Sequence, residues 1–122
     1  MKFSLIIYET PEAFATRHDP VNAAAYWAAW PAYTKALMDA GVMAGGAGLQ
    51  EPATATSIRF GPSGQTIEDG PFAETKEMLG GIYIIDVPSL DEAMKWAARM
   101  PLQYGGTVEV RPNLVMNAEV DA

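Results

Sequence analysis

Hydrophobic residues follow two rhythms along this chain. In the first segment Phe3, Leu5 and Ile7 alternate with Ser4, Ile6 and Tyr8, so a strand over 2–8 would carry apolar groups on both faces. Glu9-Thr10-Pro11 ends it, and 11–18 reads as a connection with one helical turn at 12–16. After Asp19 the rhythm changes. Tyr26, Trp30, Tyr33, Leu37 and Ala40 recur at steps of four, three, four and three, which puts them on one face of a helix. That helix is predicted over 20–40, with Asp19 as N-cap, Pro20 at the first helical position and Gly41 as the left-handed stop. Pro31 lacks the amide that would bond the Trp27 carbonyl, at a cost of ~3 kcal/mol, so a kink is expected there.

The segment 42–52 is small and glycine-rich and reads as irregular backbone. Thr, Ile and Phe make 54–60 a strand, Gly61-Pro62-Ser63-Gly64 a turn, and 65–68 the returning arm of a hairpin. The run 81–87 is the most strand-like in the chain. Ser89 and Glu92 form a capping box, and Ala93, Trp96, Ala97 and Met100 continue it as an amphipathic helix ending at Pro101. A last strand is expected at 107–111. The remainder, 113–122, is expected to be a mobile tail or an arm laid on a partner. The order implies an α+β fold, a ferredoxin-like βαββαβ plan with an extra short hairpin strand, and helices on one face of an antiparallel sheet. Two helices cannot cover both faces of that sheet. Ile82 and Ile84 oppose Tyr83 and Ile85, as Phe3 opposes Ser4, so both faces carry apolar groups and a sheet-to-sheet homodimer is expected.

Length and charge narrow the field. The 122 residues suit one domain, placed at 1–112 with a tail at 113–122. The chain has no cysteine, which excludes disulfides and thiolate zinc sites. No run approaches the ~20 apolar residues of a membrane span, and the short apolar start lacks a cleavage site, so a soluble, cytoplasmic protein is expected. Fifteen acids against 8 bases give a net charge of −7, a field that repels a phosphate backbone, so nucleic-acid binding is not expected. Gly45-Gly46-Ala47-Gly48 is followed by no Lys-Ser/Thr and is not a phosphate loop.

The stretch Asp69-Gly70-Pro71-Phe72 is strong turn chemistry, followed by Glu74, Lys76, Glu77 and then Gly80-Gly81. This block resembles the DGPF signature of the YCII-related family, and the resemblance runs from Met1 to about Pro112. It implies a dimeric α+β barrel. It also implies an acid/base pair, a histidine within the first helix and an acid near its end. Registered on Gly41, the family histidine falls at or near Trp30, and Asp39 stands near the acidic position without its partner. The dyad is therefore expected to be missing. Relatives are associated with extracytoplasmic-function sigma factors, which makes a sigma-factor partner a further expectation.

The candidate residues each carry two readings. His18, the single histidine, is either a general base at a cleft or a loop residue beside a capping aspartate. One histidine excludes a histidine metal triad, and no metal or cofactor is expected. Trp27, Trp30 and Tyr33 would line a pocket between helix and sheet, or pack as core. Arg59, if it points inward, needs an anion or carboxylate partner. Asp69 would cap the turn or face a ligand, and Phe72 is grouped with it as a pocket residue. Glu74, Lys76 and Glu77 read as a solvated, ion-paired surface, or Glu74 and Lys76 rim the pocket. Three functions follow: a dimeric small-molecule-binding protein; a lyase or isomerase acting on an aromatic or carbonyl compound through His18 or Asp39; and a protein partner of a sigma factor.

Overall fold

A computed structural model describes residues 1–115; residues 116–122, most of the anticipated tail, lie outside it. The elements run β1 (Lys2–Glu9), α1 (Pro11–Thr16), α2 (Ala23–Asp39), β2 (Met43–Gly48), β3 (Thr56–Gly61), β4 (Gly64–Asp69), β5 (Met78–Asp86), α3 (Leu90–Ala97) and β6 (Thr107–Pro112). Strands β2, β5, β1 and β6 form one antiparallel sheet in that order, and β3 pairs only with β4. This is the ferredoxin-like α+β arrangement, with α2 and α3 as its crossover helices.

Within the glycine-rich segment 42–52, expected to be irregular, 49–51 is irregular but Met43–Gly48 is strand β2, the edge of the sheet. Its composition hid it, because glycine is a poor strand former. Position 46 nevertheless requires glycine, since a Cβ there would lie 2.7 Å from the Ile82 carbonyl oxygen. The hairpin is correspondingly an insertion between β2 and β5, outside the main sheet.

The helix expected from Pro20 begins at Ala23. Asp19 spends its carboxylate on a local turn, accepting from the Val21 and Asn22 amides at 2.8 and 3.4 Å. Segment 11–16 is a full helix, capped by Thr10, whose hydroxyl accepts from the Ala13 amide at 3.2 Å. Gly41 ends α2 at φ 72°, with Gly41 N–H donating to Met38 O and Val42 N–H to Leu37 O, a Schellman closure. Pro31 sits inside α2, which continues on both sides of it. Ser89 caps α3 by accepting from the Glu92 amide.

Both crossover helices cover the same sheet face. Phe3, Leu5, Leu37 and Ile85 are essentially fully buried, with Tyr33, Val87 and Ala93 around them. Strand pairing places Ser4, Ile6, Ile82 and Ile84 on the opposite face, where they are half-buried. No helix among the described residues is long and apolar enough to cross a membrane.

Candidate functional site

Strand β1 buries every second residue, and that phase continues one step past the apolar run to Glu9, which is 2 % exposed. A carboxylate so placed needs partners. It has two. Arg17 Nη2 donates to Glu9 Oε2 at 2.9 Å and the Tyr26 hydroxyl donates to Glu9 Oε1 at 2.6 Å. Arg17 Nε closes the triangle by donating to the Tyr26 oxygen at 2.9 Å, and Nη1 donates to the Leu49 carbonyl at 2.6 Å. The guanidinium also lies over the rings of Phe14, Tyr26 and Trp27 at 5.0, 5.6 and 5.5 Å. Burial works against the Arg17 charge, but the hydrogen bond to Tyr26 and the Glu9 charge outweigh it, so its pKa is raised. Burial, reinforced by the hydrogen bond to Glu9, pushes the Tyr26 phenol up to about 12.

The backbone accommodates this cluster at Gly80. Strand β5 carries a bulge between its pairings with Ile7 and Tyr8, and Gly80 is the extra residue. A Cβ at Gly80 would meet Glu9 Oε2 at 1.9 Å. The second half of the family-like signature is thus a seat for a buried carboxylate.

The triad closes the inner end of a cavity of about 590 Å³ between α2 and the β2–β5 half of the sheet. Its helix side is Tyr26, Trp27, Trp30 and Thr34; its sheet side is formed by Gly46, Gly48, Gly81 and Tyr83. Trp30 and Tyr83 lie nearly parallel, with centroids 6.5 Å apart, and the Tyr83 hydroxyl is 2.6 Å from Thr34 Oγ1. Glycine at 48 leaves open space where a side chain would stand. At the mouth, His18 Nε2 lies 2.7 Å from Glu51 Oε1, and both residues line the cavity. The hydrogen bond with His18, helped by its own backbone, holds the Glu51 carboxyl below the usual carboxylate range.

Three of the sequence-predicted residues therefore meet in one cavity: His18, Trp27 and Trp30. Tyr33 does not line it. Tyr33 is a core residue whose hydroxyl donates to the Trp96 carbonyl at 2.7 Å, fastening α2 to α3. Asp39 is at the exposed end of α2, paired with Lys35 at 2.6 Å. Arg59 does not point inward; on the hairpin it pairs with Glu68 at 3.0 Å and donates to the Phe72 carbonyl. Asp69 ends β4, and Phe72 is 72 % exposed. The turn motif closes the hairpin base instead, through Gly70 N–H to Ala55 O at 2.6 Å and Ser57 Oγ to Gly70 O at 2.8 Å.

Glu9, Arg17 and Tyr26 are not among the site candidates that the sequence offers. Glu9 was legible in principle, because it is in phase with Phe3, Leu5 and Ile7; ending the strand at Tyr8 concealed it. Arg17 gave no local signal, since its partners are eight, nine and thirty-two residues away.

Comparison with known proteins agrees with the architecture. A family profile for the YCII-related domain matches residues 1–117. An uncharacterized protein of Rhizobium meliloti (strain 1021) is 48 % identical over 64 residues, covering 50 % of this chain and 52 % of the relative. The chain thus spans about half the length of the curated relative it matches.

Proposed function

The chain belongs to the YCII-related family, and from that premise we propose that it is a homodimeric small-molecule-binding protein whose ligand is a flat aromatic compound bearing a carbonyl or hydroxyl group. The observation that carries this reading is the cavity. At about 590 Å³ it falls within the range of roughly 300–1,000 Å³ for small-molecule sites. Trp27, Trp30 and Tyr83 supply ring faces for stacking, and the glycines opposite them leave the room. Three of the five Arg17 N–H groups are engaged within the protein, which leaves donors for an acceptor atom on the ligand. Glu9 balances the charge of Arg17, so a neutral acceptor fits better than a free carboxylate. The homodimer is supported by the half-buried isoleucines Ile6, Ile82 and Ile84 on the sheet face without helices.

Two of the chain's three tryptophans line the cavity, so binding has an intrinsic reporter. Titration with 4-hydroxyacetophenone and a panel of related aryl ketones and phenols is expected to quench tryptophan fluorescence saturably. Gly48→Leu, which puts a side chain into the open space, is expected to abolish the quenching while leaving the circular dichroism unchanged. Absence of saturable quenching by every compound to millimolar concentration, or equal quenching in Gly48→Leu, refutes the reading.

One observation favours a second reading, an enzyme that moves a proton on such a compound. His18 at the cavity mouth is held by a carboxylate at 2.7 Å, the relation of a general base to its orienting group. On this reading the native protein chemically changes a bound compound, and His18→Gln binds it without changing it.

A further inference from the structure

We propose that the hairpin β3–β4 is a dimer clasp, its apolar face buried against a second copy of this chain. This rests on the homodimer reading above. Strand pairing sets Ile58 opposite Ile67, and alternation puts Phe60 on the same side. These three side chains are 52 %, 71 % and 79 % exposed. The other side of the hairpin is polar and internally satisfied: Arg59 pairs with Glu68, and Ser57 bonds the Gly70 carbonyl. Gln65, opposite Phe60, and Thr56 and Asp69, opposite each other, rim the apolar side, so Ile58, Phe60 and Ile67 form an apolar centre with a polar edge, while the other side is polar throughout.

Within the chain β3 and β4 pack chiefly on each other. A lone two-stranded hairpin is marginal in water and gains stability when its apolar face is covered. The uncovered side chains amount to roughly 300 Å² of apolar surface. Two hairpins in a symmetric pair, each matched by an equal area of the copy it meets, bury roughly 1,200 Å², the lower bound of a stable specific interface. One hairpin folded against its own chain gains half of that. The area is what selects a second copy as the occupant.

The test is sedimentation equilibrium of the full chain and three variants. Phe60→Ser with Ile67→Ser alters the apolar face only, and Thr66→Ser alters the polar face as a control. In the third variant a short Gly-Ser turn replaces 56–69; Gly70 N–H already bonds Ala55 O at 2.6 Å, so the excision leaves the base of the hairpin closed. Circular dichroism checks that each variant is folded. The expected result is a dimer for the native chain and the control. The double variant and the excision are expected to weaken the dimer at least about a hundred-fold. A dimer unchanged by both the double variant and the excision overturns the clasp and leaves the homodimer reading standing. A native chain that is monomeric at tens of micromolar overturns both.

Discussion

Replacing Tyr26 by phenylalanine removes one oxygen atom from the buried triad and leaves its shape. That oxygen donates to Glu9 at 2.6 Å and accepts from Arg17 at 2.9 Å. Both partners are charged, 2 % and 7 % exposed, so water does not readily replace what is lost. Hydrogen bonds to charged groups contribute about 1.5–3 kcal/mol each, and the variant is expected to be about 3 kcal/mol less stable at pH 7. The phenol pKa makes the prediction more specific. Burial raises it from 10.0 to about 12. The native state thus holds the phenolic proton more tightly than the unfolded chain does. Stability from this group is complete below pH ~10 and is lost as pH rises toward ~12. By pH 11 the native chain loses about 1.4 kcal/mol at this position, and Tyr26→Phe loses nothing there. Guanidinium unfolding followed by far-ultraviolet circular dichroism at pH 7, 9 and 11 measures the gap between the two proteins. Other groups that titrate in this range cancel in the comparison. A gap that does not narrow between pH 9 and 11, or a cost below about 0.5 kcal/mol at pH 7, refutes the account of the triad.

Two further outcomes follow from the backbone. Gly80→Ala drives a methyl group into Glu9 Oε2; it is expected to cost at least about 3 kcal/mol by splitting a buried ion pair. Gly48→Ala meets no atom within 4 Å and is expected to leave the thermal midpoint unchanged or slightly raised. Equal midpoints for these two variants would refute the carboxylate seat. Ser89→Ala removes the acceptor for the Glu92 amide at the start of α3 and is expected to lower stability by about 1 kcal/mol in the same unfolding assay, with no change in ligand-induced quenching.

Local chemistry determined a large part of this protein. The Gly41 stop, the Ser89 cap, the hairpin turn and the amphipathic stripe on α2 each depend on residues a few positions apart, and each was readable in order along the chain. So was the surplus of apolar groups on the sheet face that no helix covers, because strand alternation is a local rule. The tertiary structure decided what depends on distant neighbours. Strand β2 exists because β5 lies beside it and its carbonyls exclude side chains at position 46, a constraint that composition reads as disorder of pattern. Tyr33 and Trp30 are three residues apart on one helix, yet one fastens α3 and the other faces the cavity. Periodicity sets the helix face; only packing decides what stands opposite each turn of it. The triad shows the limit most plainly. An acid at a strand end, an arginine at a helix end and a tyrosine on the next helix look unrelated in sequence. Burial makes them one unit, because each satisfies polar groups of the other two that water does not reach.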